Sequence, residues 1–356
     1  MPENPVVKQM VFPPEVLARI APDISLQRHL SVGLRPSLRG FNEFRPMEVS
    51  EGGLNDVGKN NLIGSSVVKS GDTRVICGIT LGIVEENSVD KILSLTSSAE
   101  DDSLENYSSV YPVVDISRGR SGAPTDEEMI LSQKLYETIL HNKIIDNEAL
   151  KVQVGTKVDN DIIYPDGSGE NDDLLRPKKN WSYTLYAHVK VFSRSGPLFD
   201  ICYSALIGAL KNCKIPRAYI DDKSTDIRIP VRSRGNFGHL RESYNLLLDT
   251  NYNENLSIKE AGTPSSYGII DVEKPVAEAG DEDDMDVDQA PAATTVLLAD
   301  LEGEAEETCA VSKINIISSK DSLKPLKHIS IIGGGSRITK ALLKESIRIA
   351  NLRSEL

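Results

Sequence analysis

Between Trp181 and Val191 every second residue, Trp181, Tyr183, Leu185, Ala187, Val189 and Val191, is apolar or aromatic, and Ser, Thr, Tyr, His and Lys stand between them. Side chains alternate from face to face along a strand, so this run reads as a long, half-buried strand. A chain that carries it must supply neighbouring strands and a layer to cover the apolar face. Residues 62–69 and 73–85 are two further β-prone runs, and Ser70-Gly71-Asp72 between them is a short polar turn that closes a hairpin. Residues 111–116, 215–231, 267–272, 294–299, 311–317 and 328–332 add strand candidates, those in 215–231 being separated by Asp221-Asp222-Lys223.

Helix signals fall between these strands. Thr125-Asp126-Glu127-Glu128 is a capping box, followed by Leu131, Leu135 and Ile139 on one helical face. After Gly196-Pro197, the dense apolar run 198–210 predicts a buried helix, and 339–353 predicts a closing helix with Leu343, Ile347 and Ala350 on one face. A short helix is expected over 14–21, followed by an arm rich in Arg and Pro that lies on a surface up to Pro46. The fold class is therefore α+β, with repeated strand, strand and helix units in two lobes.

Charge narrows the function classes. The chain of 356 residues has a formal net charge of −13, so it cannot coat a phosphate backbone everywhere, and contact with nucleic acid has to be local. Much of the acidity lies in residues 278–288, which hold seven carboxylates and no base; such a run is expected to stay disordered. Cys77, Cys202, Cys213 and Cys309 show no C-x-x-C spacing, and reduced thiols in an intracellular protein are the simplest reading. The longest apolar run, 75–84, is too short to span a bilayer, and residues 1–10 lack a signal-peptide profile. His29, His141, His188, His239 and His328 stand at no metal-ligand spacing.

Several stretches in order resemble the RNase PH superfamily, and within it the branch found in the eukaryotic RNA exosome. These are Ser37-Leu38-Arg39-Gly40-Phe41-Asn42-Glu43-Phe44-Arg45-Pro46, the hairpin Gly64-Ser65-Ser66-Val67-Val68-Lys69-Ser70-Gly71-Asp72-Thr73, Arg118-Gly119-Arg120-Ser121-Gly122, Pro124-Thr125-Asp126-Glu127 and Gly196-Pro197-Leu198-Phe199-Asp200. Their shared order is more specific than any single piece. The resemblance implies an N-terminal arm at 1–34, an RNase PH-like domain at 35–215 and a second at 216–356, with the acidic insert at about 274–292. It also implies a ring of such subunits, RNA-binding cap proteins, an associated exoribonuclease and RNA as partners. No membrane and no cofactor enter the reading, and the compartments are nucleus, nucleolus and cytoplasm.

The same resemblance implies a silent subunit. Active members hold phosphate with adjacent arginines where this chain has Asp126 and Glu127, and those acids suit a helix N-terminus but repel phosphate. Their second cradle is a G-T-R-type turn, replaced here by Gly196-Pro197-Leu198-Phe199, which has no cation and an imide nitrogen that cannot donate. Asp300 resembles one catalytic aspartate and Glu306 or Glu307 lies near another; without the cradle these acids read as a solvated loop or as vestigial. The alternative is an active phosphate-dependent 3'-5' exoribonuclease. Arg118 and Arg120, at i and i+2, are candidate RNA contacts, with ion pairing as the competing reading, and Arg228, Arg232 and Arg234 carry the same ambiguity. Tyr107 and Tyr111 are either base-stacking or packing aromatics. Gly333-Gly334-Gly335-Ser336-Arg337 lacks Walker spacing and reads as a tight strand-to-helix turn.

Overall fold

A computed structural model describes residues 12–55, 62–86, 110–119, 122–158, 161–164, 180–220, 231–233, 246–272, 294–320 and 325–355. The chain forms two compact units, one of Met1–Arg45, Ser195–Leu198 and Gly262–Leu356, the other of Pro46–Arg194 and Phe199–Ala261. The expected cut after residue 215 falls inside a strand, Lys214–Ile220, that is hydrogen-bonded on both sides within one unit. Of the expected arm at 1–34, the described residues 12–34 belong to the same unit as Gly262–Leu356. Residues 274–292, Asp221-Asp222-Lys223 and Tyr107 lie outside the described residues.

The larger unit is built on β1 (Glu48–Glu51), β2 (Leu62–Ser70), β3 (Thr73–Glu86), β4 (Val110–Ile116) and β7 (Asn180–Ser193), in the order β1-β2-β3-β7-β4, with β9 (Val231–Ser233) added to β3. The expected hairpin is present: β2 and β3 pair from Ser70↔Thr73 outward, and Gly71 takes φ 55° at the turn. The alternation along β7 holds, with Trp181, Tyr183, Leu185, Ala187, Val189 and Val191 all buried. Helix α4 (Phe199–Lys211) covers that face and packs on β2 and β3. It comes so close that a Cβ on Gly64 would stand 2.6 Å from the Ala209 carbonyl oxygen, and the Ser66 hydroxyl donates to the Ala205 carbonyl. This accounts for an apolar run without a polar face.

Helix α3 (Asp126–His141) closes the outer edge of β4. An edge strand offers unpaired donors to any passing chain. Here Pro112 has no N–H, the Val114 amide donates to Ser132 Oγ at 3.0 Å, and the Ile116 amide donates to Glu128 Oε1 at 2.8 Å. Strands β10 (Leu246–Asn255), β8 (Lys214–Ile220), β5 (Val154–Val158) and β6 (Asp161–Ile163) form a second sheet in that order.

In the smaller unit the antiparallel order is β12 (Thr294–Ala299), β11 (Thr263–Val272), β13 (Ser312–Ser318) and β14 (Leu326–Ile332). Both faces are covered. On one, Tyr267, Ile269, Leu297, Ala299, Ile314 and Ile316 pack with Ile349 and Ala350 of α6 (Lys340–Glu355), and the partly buried Leu343 and Ile347 join them. On the other, Ile270, Val272 and Leu298 pack with Leu26 and Leu30 of α2 (Pro22–Ser31) and with Leu301 and Ala310, which flank α5 (Gly303–Cys309). Helix α1 (Pro14–Ile20) precedes α2. The Gly333–Gly335 stretch connects β14 to α6, with Gly334 at φ 138° and the Gly335 amide on Ser312 Oγ at 3.2 Å.

The expected surface arm is corrected at this point. Residues 22–31 are helical and seat Leu26 and Leu30 in the core, and Arg35 and Arg45 are 0% and 7% exposed. The arginines are inside because the carboxylates of Glu306 and Asp300 pair with them there.

Candidate functional site

Arg35 is the deepest cation of the smaller unit. Its Nε and Nη2 donate to the two oxygens of Glu306 at 3.0 and 2.5 Å, its Nη1 to the carbonyls of Ala299 (2.8 Å) and Gly40 (3.4 Å), and its Nη2 also to the carbonyl of Asp300 (3.0 Å). All five donors of the guanidinium are thus used. Glu306, 0% exposed on α5, accepts in addition from the Glu302 amide at 2.8 Å. A buried charge persists only when so paired and bonded. The expected solvated loop is corrected: Glu306 is a helical residue in the core.

Asp300 follows β12 at φ 46°, its amide donating to the Ser266 carbonyl at 2.9 Å. Its Oδ2 accepts from the Arg45 amide (2.8 Å), Arg45 Nε (2.8 Å) and Arg39 Nη1 (3.1 Å), and its Oδ1 from Arg45 Nη2 (2.7 Å). Burial pushes the carboxyl pKa up, but the hydrogen bonds and charge of Arg45, with Arg39 behind, outweigh it and hold it below the ordinary value. For Arg45 burial lowers the pKa, and the bonds and charge of Asp300 reverse it to a net rise. Arg39 and Arg45 also approach Glu302 at 2.9 and 3.8 Å. Asp300 too is part of an ion-pair cluster, here a part-buried one, rather than of a solvated loop.

The Gly196-Pro197 turn lies against this cluster. Gly196 has φ 112°, a Cβ there would stand 2.4 Å from the Leu301 carbonyl oxygen, and Arg45 Nη1 donates to the Ser195 carbonyl at 2.7 Å. Only glycine fits that conformation at that distance. Leu198 and Phe199 after it are buried.

In the larger unit the capping box forms as expected. The Glu128 amide donates to Thr125 Oγ1 at 3.4 Å, and the Thr125 amide returns a bond to Glu128 Oε2 at 2.6 Å. Glu128, 2% exposed, has its pKa lowered to about 2, first by the Thr125 amide, then by the Ile116 amide, with Arg118 adding charge. Arg118 is pinned by this carboxylate through Nη2 at 2.7 and 2.9 Å. Arg118 thus makes an ion pair with its side chain 33% exposed. Glu127 pairs with Arg194 at 2.6 Å. Arg120, Arg228 and Arg234 lie outside the described residues, and Arg232 sits in β9 opposite Val84. Tyr111 stacks with Tyr136 and with Tyr186, with ring centroids 5.7 and 5.9 Å away, and stays 39% exposed. Among the described residues no three His, Cys, Asp or Glu side chains gather to hold a metal ion.

A sheet of paired strands closed by α4 and α3, followed by a four-stranded sheet closed by α6, has counterparts among solved structures. A structure described as an Archaeoglobus fulgidus exosome with RNA bound to the active site matches with a TM-score of 0.56 at 14% identity, covering 96% of this chain and 97% of that one. An archaeal exosome core matches with a TM-score of 0.55 at 15% identity over 97% of each chain. The model of the 3' exoribonuclease family, domain 1 (RNase PH), matches residues 43–216. The chain has the RNase PH fold.

Relatives by sequence agree with that fold. The chain is 25% identical over 223 residues to exosome complex component rrp43 of Schizosaccharomyces pombe, a match covering 61% of this chain and 66% of that protein. It is 23% identical over 218 residues to exosome complex component Rrp42 of Methanopyrus kandleri, covering 60% and 65%. The chain therefore spans slightly under two thirds of the length of these relatives. Within the RNase PH fold the residues that sequence reasoning missed are Arg35, Arg39 and Arg45. Their signal was the Arg spacing in a stretch that also holds Phe41 and Phe44, both of which pack on the core.

Proposed function

We propose that this chain is a non-catalytic subunit of an exosome-type ring of RNase PH-fold proteins, supporting 3'-5' RNA processing and degradation as scaffold and as part of the RNA path. Its neighbours are other RNase PH-like subunits, with RNA-binding cap proteins and a separate exoribonuclease attached, in the nucleus, nucleolus and cytoplasm. The names of the two relatives support the assembly. So does β14, which among the described residues pairs only with β13 and ends in Ile331 and Ile332, 48% and 49% exposed. An open apolar edge of this kind suits a protein partner.

The observation that carries the silent reading is the state of Asp300. An acid that assists a leaving group has to face its substrate. This one spends both oxygens on Arg45 and Arg39. Residues Gly196 to Phe199 carry no cation of their own, and the first turn of α3 carries Asp126, Glu127 and Glu128. On this reading Arg120, Arg232 and Arg234 contact RNA, and Arg118 contributes less because its charge faces Glu128. Native mass spectrometry of the complex isolated with this chain, joined to an assay of the purified chain with RNA and phosphate, tests the reading. Ring subunits in the complex and no nucleoside diphosphate from the chain are expected; a chain alone that releases nucleoside diphosphates overturns it.

A further inference from the structure

The charge of this chain is unevenly spread. Residues 311–356 hold nine Lys and Arg against three Asp and Glu, a net +6 in a chain of −13, which leaves −19 on residues 1–310. Half of that excess, five bases against two acids or +3, lies on α6 and the turn that leads into it, which hold Arg337, Lys340, Lys344, Arg348 and Arg353 against Glu345 and Glu355. Arg337, Lys340 and Lys344 are exposed. Lys340 and Lys344 are one turn apart on the same face, with Cβ atoms about 5–6 Å from each other.

The first turn of α6 contains no acid, and its Glu345 pairs with Arg348 at 2.6 Å. Among the described residues Arg337, Lys340 and Lys344 enter no ion pair. The apolar side of α6, with Ile349 and Ala350, is committed to the core, and the cations stand on its exposed side.

We propose that Arg337, Lys340 and Lys344 form a stripe that tracks the phosphates of single-stranded RNA. The inference rests on the ring-subunit reading above and adds the surface by which this chain would touch its RNA. Charge decides in favour of a polyanion: sequence-independent nucleic-acid surfaces are made of Lys and Arg that neutralise phosphates, whereas protein interfaces are depleted in Lys at their core. The apolar anchors a protein would need, Ile331 and Ile332, lie on β14 and not on the stripe.

The test uses the assembled ring containing either the natural chain or Arg337→Ala/Lys340→Ala/Lys344→Ala, titrated with a fluorescent oligouridylate over a salt series. Each phosphate contact on a single strand contributes about 0.7 to the slope of log K against log salt, so the triple variant should be shallower by about 2. Lys340→Arg/Lys344→Arg should keep the natural slope. A triple-variant ring with unchanged slope overturns the stripe and leaves the ring reading intact. Loss of a protein neighbour at unchanged slope also overturns it and assigns the charges to a protein contact. If the natural chain enters no ring, the ring reading falls, and the same titration on the full chain alone still decides the stripe by its slope.

Discussion

Arg35 and Glu306 stand 271 positions apart in sequence and meet as a doubly hydrogen-bonded ion pair from which solvent is excluded. The pair ties the segment after α2 to α5, and the three carbonyls that take the remaining donors make the arrangement specific for a planar five-donor group. Removing one partner leaves the other charged in the core. Arg35→Ala or Glu306→Gln should therefore destabilise by about 3–5 kcal/mol. Replacing both with apolar residues, Arg35→Met/Glu306→Leu, should recover a large part of that loss. Urea denaturation of the three variants against the natural chain measures both effects.

Glu128 makes the stability of the larger unit depend on acid. Its folded pKa, about 2, lies below the ordinary 4.5, so it contributes stability that is fully present above the higher value and is lost as pH falls toward the lower. Glu128→Gln should flatten the dependence of the unfolding midpoint on pH between these limits. Melting curves across the acid range check it, and a profile that stays as steep as the natural one would show that other carboxylates dominate.

Thr125 supplies the other half of the capping box. Thr125→Ala should cost about 1 kcal/mol by removing an acceptor for the Glu128 amide, and Thr125→Ser should cost little. Chemical denaturation distinguishes the two.

Gly196→Ala should be destabilising by about 1–3 kcal/mol or more, because the position combines φ 112° with a carbonyl oxygen 2.4 Å from the added carbon. The loss is backbone strain, so Gly196→Ser should match it. Equal thermal shifts for the two variants are the expected result.

Parts of this fold were legible because the signal is local. The β2–β3 turn, the alternation of β7, the capping box of α3 and the apolar run of α4 each depend on neighbours within a few residues. Helix α2 was not foreseen, because the Arg- and Pro-rich stretch that it opens reads as a surface arm, although Pro22 at its first turn with Asp23 beside it is a start signal. The burial of Arg35 and Arg45 could not be read, because what makes it tolerable is a pair of carboxylates more than 250 positions away. The site was legible in part for the same reason. Asp300 stands out by resemblance, but the four bonds that occupy it come from Arg39 and Arg45, which only the fold brings within reach.

On the proposed reading Asp300 is a structural anion in a subunit without chemistry of its own. The most direct test is phosphorolysis by the assembled ring, with the attached exoribonuclease inactivated, comparing the natural chain with Asp300→Asn in rings shown by native mass spectrometry to be complete. The account predicts that any release of nucleoside diphosphate from RNA is the same with either chain, while the isolated Asp300→Asn chain melts lower because Arg45 loses its charged partner. Phosphate-dependent release that disappears with Asp300→Asn in a complete ring would contradict the account.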